Sequence, residues 1–223
     1  MKPLKSDAET ISVIQRQSVA SQVYLDLRSK ILTGQFLQGE RIVEATIAKS
    51  LGVSRAPVRE AVNRLTEAGL LENRVHYGPS VVQMALERIR ELYVVRNAIE
   101  GLAIRAVALK HSNHDLLELR ELIEKMAAQA ESGDLAGLVE AELEFHQALW
   151  RMAGNPYIEK MANLLFDHMR LALILDNGGY VNLSDVAREH LPLVEAIASG
   201  DPDEAARSLT THIMGSLEKY SQR

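Results

Sequence analysis

Apolar positions divide the chain into a front of short elements and a back of long helices. Over residues 18–33 an apolar residue recurs every four positions, the spacing of a helix with one buried face. The residues of this stripe are Val19, Val23, Leu27 and Ile31. Two further short helices are predicted over residues 44–50 and 54–69, each ending near a glycine. Residues 70–82 are β-prone around a turn that contains Gly78 and predict a hairpin.

Beyond Val82 the pattern changes to long helical repeats without strand signals. Six helices are predicted, near residues 85–110, 113–131, 134–152, 156–175, 184–199 and 202–220. Their short connections favour antiparallel packing. We therefore expect a mainly α protein with a loosely ordered arm (residues 1–17), a helix-turn-helix domain with a hairpin (18–82) and an antiparallel six-helix bundle (83–223).

Composition narrows the class of protein. Apolar residues make up 47% and aromatic residues only 4%, which favours packed helices over a sheet. The absence of cysteine excludes disulfides and thiolate metal sites. No apolar run reaches the roughly 18 residues that a membrane span needs, and the first 17 residues lack a signal-peptide core. A cytoplasmic protein with no membrane partner is expected.

Charge is distributed unevenly between the two halves. Residues 1–82 carry a net charge of +3 and residues 83–223 a net charge of −8, within a total of −5. A basic front and an acidic back indicate two domains with different partners.

Residues 44–72 have the pattern of a helix-turn-helix, whose second helix enters the major groove of DNA. Arg55 and Arg59 lie one turn apart at the start of that helix, where each could contact a guanine edge. Ser54, at the helix N-terminus, suits a phosphate. The hairpin tip at Tyr77–Gly78 could lie along the minor groove or the sugar-phosphate backbone. The alternative is that the two arginines form an ordinary solvated face.

Four side chains in the back half suit a metal ion. Glu142 and His146 are four residues apart and project from one helix face. His190 and His212 lie on the two following predicted helices, and a bundle can bring such groups to one point. Three imidazoles and a carboxylate suit Zn, Ni, Fe or Mn. By spacing alone, a solvated Glu/His pair and partly buried histidines explain the pattern as well.

The front segment GERIVEATIAKSLGVSRAPVREAVNRLTEAGLLE closely resembles the DNA-binding domain of the GntR family of bacterial regulators. The resemblance implies a winged helix-turn-helix with Gly78 at the wing tip. It also implies four positions that meet DNA: Ser54, Arg55, Ala56 and Arg59. Ala45 stands where some relatives place an arginine on DNA, and Tyr77 and Pro79 make this wing less basic than many.

The back segments ELEFHQALWRMAGN and EHLPLVEAIASGDPDEAARSLTTH resemble the ligand-binding domain of the FadR subfamily, in its VanR-type branch. This resemblance implies a divalent transition metal, zinc before nickel, iron or manganese. The implied ligands are Glu142, His146, His190 and His212. Glu142 replaces the commoner aspartate, and Pro192 could tilt His190.

A carboxylate effector is the expected occupant of the remaining metal positions. Arg96 matches a family arginine that faces the cavity, and its planar fork could take a second carboxylate, although a salt bridge to Glu100 explains it equally well. Arg170 is the other candidate for effector binding. The predicted function is a homodimeric regulator whose affinity for double-stranded operator DNA responds to a small organic acid. A metal-dependent enzyme with an N-terminal interaction module, and a regulator with a purely structural metal, are the alternatives.

Overall fold

A computed structural model describes residues 18–221, so the predicted arm (1–17) lies outside the described residues. The front half contains three helices and a two-stranded antiparallel sheet. Their bounds are α1 Val19–Leu32, α2 Glu44–Leu51, α3 Arg55–Glu67, β1 Leu71–Arg74 and β2 Gly78–Val81.

Local sequence explains each of these elements. The apolar stripe of α1 is buried except at Val19, which opens the helix and is 48% exposed. Gly52, with a φ of 65°, ends α2 in the left-handed conformation that favours glycine. The hairpin pairs Leu71 with Val81 and Arg74 with Gly78, which leaves a short tip between the strands.

The back half is entirely helical over the residues that the structure describes. Its helices are α4 Leu86–Lys110, α5 Asn113–Ser132, α6 Leu135–Met152, α7 Pro156–Asn177, α8 Ser184–Arg188, α9 Leu191–Ala198 and α10 Pro202–Ser221. The mainly α architecture is therefore confirmed.

The single helix predicted over 184–199 is wrong, because the chain breaks there into α8 and α9. Pro192 lies in the first turn of α9, where a missing N–H costs little, so it starts a new helix. His190 occupies the N-cap position of α9 and is therefore at the break.

Packing places α4 at the centre of the bundle, in contact with α6, α7, α9 and α10, while α5 packs along α6 and α8. The buried apolar residues of both halves form one continuous cluster. None of the helices described is long and apolar enough to cross a membrane.

Candidate nucleic-acid interface and metal centre

The start of α3 presents its polar residues to solvent. Ser54 is the N-cap residue by backbone conformation, and its side chain makes no capping hydrogen bond. Ser54, Arg55, Ala56 and Arg59 are all exposed. The opposite face of α3 is buried through Val58, Ala61, Val62 and Leu65, which fixes the direction in which the arginines point.

The hairpin tip supplies a second exposed surface. Tyr77 is 42% exposed, and Gly78 opens β2 with a φ of 88°. The guanidinium of Arg41 lies 5.5 Å from the centroid of the Tyr77 ring. The backbone of Arg41 forms an isolated antiparallel β-bridge with Ser80 of β2. Sequence analysis did not single out Arg41, because only the sheet pairing brings it to the tip.

Four predicted ligands converge inside the bundle. Glu142 and His146 come from α6, His190 from the α8–α9 break and His212 from α10. One candidate ligand atom from each lies within 4.8 Å of all the others. Ligand atoms on a tetrahedral zinc lie about 3.4 Å apart, so small side-chain movements suffice to close the set on an ion.

One ring nitrogen of each of the three imidazoles forms a hydrogen bond that holds the ring in place. Nδ1 of His146 is 2.6 Å from a carboxylate oxygen of Glu100, and Nδ1 of His190 donates to the carbonyl of Val186 at 2.8 Å. His212 bonds the backbone of Glu189. Such outer contacts fix ring orientation in metal centres.

The second ring nitrogens of His190 and His212 lack protein partners. Nε2 of His190 and Nδ1 of His212 are buried and have no hydrogen-bond partner among residues 18–221. A buried nitrogen without a partner costs free energy, and a coordinated ion would satisfy it. The donor set therefore fits a divalent metal.

Glu142 is positioned from the end of α7. Nδ2 of Asn177 donates to one carboxylate oxygen of Glu142 at 2.6 Å, and the other oxygen lies 4.0 Å from Nε2 of His190. Sequence analysis did not single out Asn177, since no motif marks it.

Arg96 belongs to the same cluster. Its Nε donates to Glu100 at 2.8 Å, and its Nη2 lies 2.6 Å from Nε2 of His146. The salt bridge to Glu100 is therefore present, and Arg96 also contacts a predicted ligand, while its role in effector binding stays a prediction. Sequence analysis considered Glu100 only as the partner of Arg96, whereas it also anchors His146.

Burial shifts the pKa values of the four side chains in the cluster. Burial raises the pKa of Glu142 to about 7 and lowers the pKa of His190 to about 3. Burial also lowers the pKa of both His146 and His212, so the imidazoles are neutral near pH 7. Burial opposes ionisation of Glu100, but His146 and Arg96 outweigh it and lower its pKa to about 2.

Arg170, the other candidate for effector binding, forms an ion pair at a different position on α6, and its role in effector binding stays a prediction. Both terminal nitrogens of Arg170 donate to the carboxylate of Glu140 on α6, and its guanidinium lies over the ring of Phe166.

A surface cleft reaches His212 at the edge of the cluster. Its volume is about 520 Å³, and His212 forms part of its wall together with Pro192, Ser208, Gly215 and Lys219. His212 is partly accessible, whereas Glu142, His146 and His190 are buried. A small molecule would therefore approach the cluster past His212.

A winged helix followed by a helical bundle with an internal cluster defines a class of DNA-binding regulators. Residues 19–89 match the family of bacterial regulatory proteins described as gntR, and residues 91–215 match the FCD domain. The chain belongs to the GntR family. It is a transcriptional regulator with an effector-binding FCD domain, not an enzyme.

Relatives span nearly the whole chain. A probable D-xylose utilization operon transcriptional repressor from Paenarthrobacter nicotinovorans is 35% identical over 204 residues, which are 92% of this chain and 89% of the relative. The regulator YdhC of Bacillus subtilis is 28% identical over 86% of both chains.

Solved structures agree on the fold. McbR/YncC of Escherichia coli superposes with a TM-score of 0.73, at 24% identity over 92% of this chain and 98% of its own. A GntR regulator from Rhodococcus sp. RHA1 gives a TM-score of 0.77, at 24% identity over 91% and 97%.

Proposed function

We propose that this regulator binds operator DNA sequence-specifically and that a small organic acid, bound at a divalent metal in the bundle, controls its affinity for DNA. The observation that carries the proposal is the convergence of Glu142, His146, His190 and His212, with the free nitrogen of His190 buried inside the cluster. The FadR-type ligand pattern in the sequence supports the same four residues. The protein would act in the cytoplasm, where its DNA is.

Three neutral imidazoles and one carboxylate favour zinc, with nickel, iron or manganese as alternatives. Held by four protein ligands, the metal would take a carboxylate oxygen as a fifth ligand and act on it as a Lewis acid. Neighbouring residues hold the protein ligands: Glu100 orients His146, and Asn177 orients Glu142. Arg96 must turn its Nη2 away from His146 to free the ligand nitrogen, which makes its guanidinium available to an acid.

DNA recognition is assigned to the exposed start of α3 and to the hairpin. Arg55 and Arg59 would contact base edges in the major groove, with Ser54 and Ala56 against the backbone. Tyr77 and Gly78, at the wing, would contact the minor groove or the sugar-phosphate backbone. The proposal is supported by the position of all six residues on the basic half of the chain, where five of them are exposed and Gly78 is partly exposed.

A homodimer is proposed through α4. This helix exposes Val95, Leu102 and Leu109, seven residues apart and 47%, 61% and 70% exposed, a repeat typical of paired helices. Leu102→Glu should give a monomer in analytical ultracentrifugation, whereas Leu164→Glu, at an exposed leucine of α7, should leave the dimer. A dimeric Leu102→Glu protein would exclude this interface.

The metal proposal is tested by the double variant His146→Ala/His212→Ala. Zinc bound after dialysis, measured by elemental analysis, should fall to background, while His114→Ala, at an exposed histidine of α5, keeps the wild-type content. Full occupancy in the double variant would rule out the site. Thermal shift with a panel of carboxylates and D-xylose, with and without chelator, then separates an effector-binding metal from a structural one.

A further inference from the structure

Helix α7 contacts both the DNA-binding half and the ligand cluster. Asp167 and His168 lie against the DNA-binding half, and Asn177, the last residue of the helix, bonds Glu142. At a rise of 1.5 Å per residue, the distance along α7 from Asp167 to Asn177 is roughly 15 Å. A continuous rigid element therefore joins the two regions.

The first attachment is a forked ion pair. Nε of Arg28, on α1, donates to one oxygen of Asp167 at 2.7 Å, and Nη2 donates to the other oxygen. The side chains are 30% and 16% exposed, and the hydrogen bond to Asp167 raises the pKa of Arg28. A two-point bond fixes orientation as well as distance.

The second attachment lies at the end of the recognition helix. Gly69 follows α3 with a φ of 72°, and a Cβ built there would lie 2.4 Å from Nε2 of His168. His168 also forms a hydrogen bond with the backbone of Gly69. The imidazole thus packs against the backbone at the end of the helix that carries Arg55 and Arg59.

Helix α7 is also tied to the helix that carries two of the proposed ligands. The two-point bond between Arg170 and Glu140 joins α7 to α6, which bears Glu142 and His146. A displacement of α6 at the cluster is therefore passed to α7 at two places, through Arg170 and through Asn177.

We propose that α7 transmits occupancy of the metal centre to the winged helix, and that the contacts Arg28–Asp167 and His168–Gly69, together the α7 clamp, are its attachment points. The inference rests on the proposed function of the cluster. When Glu142 turns toward an ion, its bond to Asn177 changes, and the clamp conveys the shift to α1 and to the end of α3. The change in operator affinity is then limited by the difference in ligand affinity between the two domain orientations.

Amide hydrogen exchange with Zn²⁺ as the probe tests the clamp. In the wild type, Zn²⁺ should slow exchange around Glu142 and also change it by about fivefold or more over residues 65–71. In Asp167→Asn the change around Glu142 should remain, while the change over residues 65–71 should be lost. The exchanged pair Arg28→Asp/Asp167→Arg should restore part of it.

The matched control is Asp26→Asn, which breaks an ion pair with Lys30 inside α1. This variant should respond to Zn²⁺ as the wild type does, and thermal melts verify that every variant is folded. An equal response of residues 65–71 in Asp167→Asn and the wild type would overturn the clamp. A wild-type response confined to the cluster would overturn the coupling and leave the metal site standing. A wild type that binds no Zn²⁺ would overturn both.

Discussion

The start of α3 and the cluster in the bundle use ionisable side chains in opposite ways. Ser54, Arg55 and Arg59 lie within six consecutive residues and are exposed. The proposed ligands of the cluster come from α6, the α8–α9 break and α10, and each is held by a neighbour such as Glu100 or Asn177.

The difference follows from the size of the intended partner. DNA brings its own extended charge, so exposed cations on one helix face are enough to meet it. A single ion has to replace its water shell with protein atoms, so its ligands must be assembled and oriented beforehand. Variants at the start of α3 should therefore leave the four side chains of the cluster in place and able to bind an ion.

The largest expected effect is at the DNA-binding front. Arg55→Ala/Arg59→Ala removes two potential guanine contacts, each worth about 1–3 kcal/mol, so specific affinity should fall by roughly 30-fold or more. Fluorescence anisotropy, with a DNA site selected by the wild-type protein from random sequences, measures the loss.

Arg105→Ala is the control, because it removes a cation of the bundle that pairs with Asp203. It should bind DNA as the wild type does, and zinc affinity should be unchanged in both proteins. Affinity of the double variant within about twofold of the wild type would refute the roles of the two arginines.

A smaller effect, on zinc affinity, is expected from a residue that holds a proposed ligand in place. Glu100→Gln weakens the acceptor for Nδ1 of His146, and loss of such an outer partner typically lowers metal affinity about 10- to 100-fold. Isothermal titration with Zn²⁺ measures it, and Glu91→Gln, at an exposed residue of the same helix, provides the comparison. Identical zinc affinities for the two variants would show that Glu100 does not support the site.

The smallest effect is on the pH dependence of zinc binding. The pKa of Glu142 is raised to about 7, so its proton must leave before it binds an ion, whereas His190, with a pKa of about 3, is already neutral. Zinc affinity should therefore fall about tenfold per pH unit below about pH 7 and level off above it. Glu142→Gln should bind more weakly and with a flatter profile between pH 5.5 and 7. If zinc affinity depends on pH with the same slope in the wild type and in Glu142→Gln, the proton released on binding belongs to a group other than Glu142.

Local patterns predicted most of the fold. The apolar stripe of α1, the glycines near the ends of α2 and α3 and the turn that contains Gly78 depend on neighbours in sequence, and the corresponding elements are present. The break at His190 escaped prediction because apolar spacing continues across it, and a proline in a first turn looks alike in a continuing or a new helix.

Sequence analysis predicted the residues of the candidate site that belong to a recognisable motif. Glu142 and His146 share a helix face, which spacing alone reveals. The ion pair of Arg170 with Glu140 was not predicted, because the direction of Arg170 depends on how α7 is rotated against α6 and Glu140 carries no motif. The contact between His168 and Gly69 depends on the packing of the two halves, which periodicity does not report.

Metal binding at the break between α8 and α9, as proposed above, would affect the lifetime of the protein in the cell. His190 precedes α9 and His212 lies within α10. An ion shared with His146 of α6 would therefore cross-link this end of the chain to its middle. At a metal concentration of about a thousand times the dissociation constant, binding adds about 4 kcal/mol to the stability of the folded form. Metal supply would then govern how fast proteases attack the C-terminal end, and with it the number of regulator molecules present.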